Sequence, residues 1–212
     1  MRLLTAQAFD RAAGAPLVEG NDVRLLRDAS ENYPAWFEAI EAAERRVHLE
    51  VYILADDVIG RRLAEALIAK ARAGVAVRLV YDWLGALGKA GGRYWRALRE
   101  AGVELRCFNP PQLTSPLDVL RRNHRKSIVV DERVAFVTGL CVADSWCGDP
   151  ARGIEPWRDT GVELRGPAVL EVARAFGATW AETGAPLPES ELPQSAPPRA
   201  GDVALRVVAE TS

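Results

Sequence analysis

The sequence predicts an α/β fold, a mixed β-sheet flanked by helices on both faces. Three observations carry this. Apolar residues recur at helical spacing in four segments, and short apolar runs of strand length lie between them. The two kinds of segment alternate along the chain, the pattern of a sheet covered on both sides. With 212 residues, 49% of them hydrophobic and 26% charged, the chain is long enough to bury one sizeable core.

Taken in order, residues 31–46 (ENYPAWFEAIEAAERR) predict a helix, with Trp36, Phe37, Ile40 and Ala43 at helical spacing and Ser30 as candidate N-cap. VHLEVYIL (47–54) predicts a strand. GRRLAEALIAKARAG (60–74) predicts a helix with Leu63, Leu67 and Ile68 on one face, closed by Gly74. VAVRLVYD (75–82) is the next strand, GGRYWRALREAG (91–102) a helix and VELRCF (103–108) a strand. NPPQLTSP (109–116) breaks structure. Residues 124–131 and 134–140 predict two further strands, and GPAVLEVARAFGATWAE (166–182) a late helix. The stretch that follows is rich in proline and small polar residues and reads as a linker. DVALRVVAE (202–210) is a strand beyond it. The expected organisation is a lobe over 1–183, a linker over 184–201 and the start of a truncated second lobe over 202–212. There is no internal repeat.

A formal net charge of −2 shows no basic excess, which argues against nucleic acid as partner. Cys107, Cys141 and Cys147 are an odd number with no C-x-x-C, which disfavours a disulfide framework or zinc site and favours a reducing compartment. The N-terminus lacks a run apolar enough for a signal peptide, and nothing approaches the roughly 20 apolar residues of a membrane span. Work on membranes would be done from their surface.

The chemistry concentrates in NHRKSIVVDERVAFVTGLC (123–141), which holds His124, one of only two histidines. In a strand His124, Lys126, Ile128 and Val130 share one side, and Arg125, Ser127, Val129 and Asp131 the other. A tight hairpin at 131–134 would pair His124 with Cys141 and Lys126 with Gly139, a glycine that leaves room over the strands. Imidazole beside ammonium is a poor core pair, because burying an unpaired cation is costly. It suits a phosphate: histidine can attack phosphorus and leave again, and lysine supplies charge to the non-bridging oxygens.

HRKSIVVD fits H-x-K-x4-D, and TGLC follows it. This resembles the HKD motif of the phospholipase D superfamily with its downstream G-G/S-x-N element. The resemblance extends over about residues 20 to 182: the segment from LLRDASENYPAWF to YDWLGALG looks like the N-terminal lobe of bacterial cardiolipin synthase-like enzymes, and PWRDTGVELRGPAVLEVARAFGATW like a later segment of the same lobe. It implies one lobe of a two-lobe enzyme in which two HKD motifs face each other. One histidine forms a phosphohistidine, the other protonates the leaving alcohol, and neither metal nor cofactor takes part. Carried over, His124 is the nucleophile or the acid–base partner, Lys126 holds phosphate oxygens, and Asp131 supports the site although strand parity turns it away. Glu50 supports His124 or forms a buried ion pair, and Asn123, Thr138, Gly139 and Cys141 flank the phosphate. The implied partners are an anionic phospholipid such as phosphatidylglycerol, a membrane surface and a second HKD lobe or a homodimer, with a cytoplasmic location at the inner face of the cell membrane.

The sequence departs from the motif in three places. Only one HKD is present, and His48 has no lysine two places on, so it is expected to be a structural, hydrogen-bonded histidine. Cys141 stands where the family has asparagine, exchanging an amide donor for a weak thiol donor. The strand at 202–210 resembles the first strand of the second lobe. Phosphatidyl transfer is therefore the expected function, with phosphodiester hydrolysis or an inactive half that binds lipid or a partner lobe as alternatives. The basic cluster RRNHRK (121–126) is either a phosphate-steering patch or a charged strand entrance. Trp83, Tyr94, Trp95, Trp146 and Trp157 are expected mostly in packing roles. The glycine-rich DWLGALGKAGG (82–92) lacks phosphate-cradle spacing and reads as a loop beside the site.

Overall fold

A computed structural model describes residues 14–111, 121–192 and 195–209. The elements in chain order are β1 (Val18–Arg27), α1 (Asp28–Glu41), β2 (Arg46–Val51), α2 (Val58–Arg72), β3 (Ala76–Asp82), the single turn α3 (Trp83–Ala86), α4 (Gly92–Glu100), β4 (Glu104–Phe108), β5 (Ser127–Val130), β6 (Val134–Thr138), β7 (Thr160–Arg165), α5 (Val169–Glu182) and β8 (Val203–Leu205). Of the break expected at 109–116, the part from residue 112 lies outside the described residues.

The strands form one mixed sheet in the order β4-β3-β2-β5-β6-β7-β1-β8. β2, β3 and β4 run parallel, and β5 turns the direction by pairing antiparallel with β2. Alternation then divides the side chains between two covers. Val47, Leu49, Val77, Leu79, Ile128, Val130 and Phe136 pack with Tyr33, Trp36, Phe37 and Ile40 of α1, Leu63 and Leu67 of α2 and Leu98 of α4. On the other face Val129, Ala135 and Leu164 meet Val169, Val172 and Ala173 of α5, and Val80 and Phe108 meet its Phe176 and Trp180. Helices on both faces of a mixed sheet are what the spacing predicts.

Two strands have no counterpart in the sequence reading. β1 and β7 pair antiparallel from Asp22↔Arg165 to Arg27↔Thr160. They escape notice because neither is an apolar run: Leu25 is 65% exposed, and Glu163 holds both Arg24 and Arg165 where an apolar cross-strand pair would otherwise sit. α1 begins earlier than expected. Its first residue is Asp28, so Ser30 lies inside the first turn and is not the N-cap. No side chain caps the helix at Arg27, and the Glu31 carboxylate reaches back to accept from the Arg27 backbone N–H at 2.8 Å.

The proline-rich segment is anchored to the sheet. Leu187 is buried with Phe176 and Trp180, and Glu191 makes a two-pronged ion pair with Arg78 of β3 at 2.7 and 2.6 Å. The strand expected after it is the short β8, antiparallel to β1 at the sheet's edge. No described helix is long and apolar enough to cross a membrane.

Candidate active site

The carboxyl ends of β2 and β3, the start of β5, the end of β6 and the start of β7 converge on one edge of the sheet, beside the β2/β5 position where strand direction reverses. Open α/β sheets leave a crevice for ligands at such a switch point. His124 and Lys126 stand there, just ahead of β5. Lys126 Nζ lies 3.0 Å from His124 Nδ1 and donates to the His124 carbonyl at 2.6 Å. His124 is exposed and Lys126 largely buried. Among the described residues Lys126 has no ion-pair partner. Burial lowers its pKa, partly offset by the nearby Cys141 and Asp159. Burial and then the Lys126 charge lower the His124 pKa, with Asp82 opposing. The imidazole is therefore biased toward its neutral, nucleophilic form.

The hairpin register differs from the expected one. Val130 pairs with Val134 and Ser127 with Val137, so three residues form the connection and Lys126 lies opposite Thr138, whose N–H donates to the Lys126 carbonyl at 3.2 Å. The Lys126–Gly139 and His124–Cys141 pairs do not form. Glu132-Arg133 is not a pair that supports a two-residue turn. Instead Asp131 and Glu132 both adopt φ 53°, and the Arg133 N–H returns to the Val130 carbonyl. Gly139 makes room for a different neighbour than supposed: a Cβ there would overlap the Asp159 carboxylate. Asp159 in turn accepts from Trp146 Nε1 at 3.3 Å. Thr138 accepts from the Leu140 N–H through its hydroxyl at 3.0 Å.

Below the site lies a buried carboxylate network that positions the residue before His124. The Asn123 N–H donates to Asp82 at 3.0 Å, and its side-chain amide donates to Glu50 at 2.6 Å. Glu50 is 1% exposed and also meets Arg125 at 3.3 Å and the Ser127 hydroxyl at 3.4 Å. Burial raises the Glu50 pKa, with Arg125 and then Asn123 pulling it down. These contacts connect Glu50 to His124 indirectly, through Asn123 and Arg125. Arg125 also donates to Thr179 of α5. The basic cluster is thus largely paired: Arg121 with Glu182, Arg122 with Asp82 and Arg125 with Glu50.

Two residues that the motif singles out have other surroundings. Asp131 sits at the far end of β5, where its carboxylate accepts from the backbone N–H groups of Glu44, Arg45 and Arg46, each at 2.8 Å. It anchors the turn into β2 and does not approach His124. Cys141 is 2% exposed, and burial pushes its thiol pKa up, with the Ile53 backbone and Lys126 opposing. Its carbonyl accepts from the Tyr33 hydroxyl at 2.8 Å.

His48 lies on the α5 face, stacked on Phe176 with ring centroids 4.5 Å apart, and burial lowers its pKa. Its Nε2 is 3.6 Å from Glu191, beyond hydrogen-bonding length. It is held by packing, and the hydrogen bond expected for it is not made by Nε2 among the described residues.

The sequence reading missed Tyr52, Asp82 and Asp159 as site residues. The Tyr52 ring packs 4.5 Å from the His124 ring, with Lys126 Nζ 5.6 Å away. Asp82 is fully buried and also accepts from Leu84 and Gly85, which makes the glycine-rich loop part of the site's wall. Gly85 is required there, since a Cβ would strike the Tyr52 carbonyl. A signal for Asp82 existed: it is a carboxylate ending the predicted strand 75–82. Of the aromatics, Tyr94 and Trp146 are buried, Trp95 stacks on Tyr81 at 4.1 Å, and Trp157 is 54% exposed against Trp146. Among the described residues no group of three or more His, Cys, Asp or Glu could hold a metal ion.

A family model described as "Cardiolipin synthase, PLD-like domain" matches residues 36–143. A cardiolipin synthase of Halalkalibacterium halodurans is 39% identical over 177 residues, 82% of this chain and 35% of its own length. Cardiolipin synthase A of Pseudomonas fluorescens is 34% identical over 192 residues, 90% of this chain and 40% of its own. This chain thus spans little more than a third of those curated relatives. Among solved structures, the phospholipase D family member Nuc of Salmonella typhimurium superimposes with a TM-score of 0.56 at 16% identity, covering 79% of this chain and 98% of Nuc. A phosphatidylserine synthase of Haemophilus influenzae gives 0.59 at 15% identity, covering 81% and 40%.

Proposed function

This chain belongs to the phospholipase D superfamily, in its cardiolipin synthase-like branch, and from that premise we propose that it supplies one half of a phosphatidyl-transfer site. The family is enzymatic, and its chemistry is transfer or hydrolysis at a phosphodiester. The observation that carries the reading is Lys126 beside His124 at the open edge of the sheet, with no ion-pair partner among the described residues. A ring nitrogen of His124 attacks the phosphorus of a phosphatidylglycerol. The P–O bond to the glycerol headgroup breaks, and that oxygen takes a proton from a second acid. A hydroxyl of another phosphatidylglycerol then attacks the phosphohistidine, returning its proton to the conjugate base of that second acid, and the P–N bond breaks to free His124 and give cardiolipin. Lys126 carries charge on the non-bridging oxygens throughout.

The second acid comes from elsewhere. His48 is the chain's only other histidine, and it is buried on the opposite face of the sheet. A second HKD lobe or a second copy of the chain fills that role, with residues 184–201 as linker and the segment from 202 as the opening of a second lobe. The protein works at the inner face of the cell membrane on anionic lipid. A second reading, an inactive half that binds lipid or a partner lobe, draws on the buried thiol of Cys141 in place of the family asparagine.

The test is a phosphatidylglycerol turnover assay on the purified chain and on His124→Ala, with a denaturing detergent quench at alkaline pH, where the acid-labile P–N bond survives, to trap the phosphatidyl group on protein. Turnover or an adduct lost in the variant supports transfer through His124. If neither form reacts, the lobe carrying the second motif is added, and continued silence then favours the inactive half.

A further inference from the structure

We propose that the loops around His124 form the surface by which this chain docks on a lipid bilayer. Val58, Leu84, Leu87, Ile154 and Trp157 enter the headgroup region, and exposed lysine and arginine side chains between them meet anionic headgroups. The inference deepens the phosphatidyl-transfer reading and rests on it for the choice of a bilayer over a protein partner.

The two edges of the sheet differ. The edge with His124 carries the connections 52–57 between β2 and α2, 87–91 between α3 and α4, and 139–159 between β6 and β7. On or beside them, Val58, Leu84, Leu87, Ile154 and Trp157 are each between 46% and 70% exposed. The connections at the other edge, 42–45, 73–75, 101–103, 131–133 and 166–168, expose no large apolar side chain among the described residues. Apolar residues exposed singly are ordinary, whereas several gathered on one edge mark a contact surface. The backbone beneath them is fixed. The Asp144 N–H donates to Asp57 at 2.7 Å, its carboxylate accepts from the N–H groups of Val58 and Ile59, and the Asp56 N–H donates to the Lys89 carbonyl at 2.8 Å. Trp157 leans edge-on against Trp146, with ring centroids 5.0 Å apart. Docking therefore needs little further ordering of these loops. Lys89, Arg93, Arg152 and Arg158 are exposed in or beside the same loops, where Glu155 is the one exposed carboxylate among the described residues. That balance suits an anionic surface. A half-exposed tryptophan beside aliphatic tips and cations matches the chemistry of a membrane–water interface. The substrate imposes the same orientation. Phosphatidylglycerol keeps its acyl chains in the bilayer, so its phosphorus reaches His124 only when this edge lies on the headgroups.

The experiment is co-sedimentation of the purified chain with phosphatidylcholine vesicles, with and without phosphatidylglycerol. Wild type should pellet with the anionic vesicles, and less so as salt rises. Ile154→Ser, and Leu84→Ser combined with Leu87→Ser, should each weaken partition about tenfold or more, following the apolar area removed from the contact. Leu17→Ser, just ahead of β1 at the other edge, should bind as wild type does. Urea midpoints close to wild type show that the variants are folded. Trp157→Phe keeps an apolar ring and should still bind, while quenching of tryptophan fluorescence by lipids brominated on their acyl chains falls below the wild-type level. His124→Ala should bind like wild type, since docking precedes chemistry. Wild type that ignores both kinds of vesicle, or folded leucine and isoleucine variants that bind as wild type does, overturns the docking surface. So does a wild-type dimer in light scattering that these substitutions split while neither form binds vesicles, which assigns the patch to a second copy of the chain. Turnover of a short-chain, water-dispersed phosphatidylglycerol without vesicle binding overturns the surface and spares the transferase reading. Vesicle binding without turnover upholds the surface and counts against that reading.

Discussion

The side-chain amide of Asn123 donates to the carboxylate of Glu50 over 2.6 Å, entirely out of solvent. That bond ties the central strand β2 to the residue that precedes His124. Removing the acceptor strands both the Asn123 amide and the Arg125 guanidinium. Glu50→Ala should therefore cost roughly 2–4 kcal/mol, in the range for breaking a buried polar network. Glu50→Gln keeps an oxygen for Asn123 and should cost about 1 kcal/mol. Urea unfolding of the three proteins measures both. Equal midpoints for the two variants would show that Asn123 does not depend on this acceptor.

Asp131 belongs to the HKD motif by sequence, yet it works on the fold. Burial by itself would raise its carboxyl pKa, and three backbone N–H donors outweigh that and hold it below the ordinary aspartate range. A native pKa held below the unfolded one contributes stability above about pH 4, which is lost as pH falls further. Asp131→Ala should lose about 2–3 kcal/mol at neutral pH and show a flatter acid limb. Activity per folded molecule should stay close to wild type. A loss of activity at full stability would put Asp131 back in the chemistry.

Gly139→Ala tests the contact that replaced the expected Lys126 pairing. The added methyl meets the Asp159 carboxylate, a neighbour held by Trp146 and by the Thr160 N–H at 2.8 Å. Displacing it should cost about 1–3 kcal/mol, the usual range for overpacking. Asp159 also helps keep the Lys126 ammonium charged. The variant's activity should therefore fall at alkaline pH before it falls at neutral pH. A pH–rate profile parallel to wild type would separate Asp159 from Lys126.

The sequence made the helices and central strands legible because their apolar residues follow the helix and strand periods. β1 and β7 stayed hidden because Arg24, Glu163 and Arg165 occupy positions where a strand pattern needs apolar residues. His124 and Lys126 were visible because a local pattern of two residues places them on one side of a strand. Tyr52, Asp82 and Asp159 were not, since the sheet gathers them from three distant parts of the chain. The hairpin register failed by one residue on a backbone matter: the left-handed pair Asp131-Glu132 lengthens the turn, and no side-chain pattern announces it.

The three cysteines should react in the order of their exposure. Burial raises the thiol pKa of each, and only Cys147 is exposed. A thiol with a raised pKa is a poor nucleophile near neutral pH. Iodoacetamide should modify Cys147 first, leave Cys141 untouched until the protein unfolds, and spare activity. Early labelling of Cys141 by mass spectrometry would mean that the site opens beside Lys126.

Glu191 fastens the proline-rich segment to the sheet, and its charge makes the fastening sensitive to acid. The Arg78 guanidinium, then His48, hold its carboxyl down to about 2 from an ordinary 4.5. A carboxyl with a depressed native pKa contributes above the unfolded value and loses that contribution as pH falls through the native one. The segment should therefore stay docked at neutral pH and release in the window from about 4.5 down to about 2. Glu191→Ala should release it at every pH, because Arg78 then pairs with Glu104, which lies on β4 and does not hold the segment. The released segment is rich in small polar residues and open to protease. Limited proteolysis should cut the variant between residues 184 and 201 at neutral pH and cut wild type there only in acid, with the aspartic protease pepsin as the acid-side probe. His48 supplies an independent signal. With Glu191 gone, burial and the Arg46 and Arg78 charges act on it unopposed, so its pKa should fall further. Equal protection of the two proteins at neutral pH would show that Leu187 and β8 hold the segment without the ion pair.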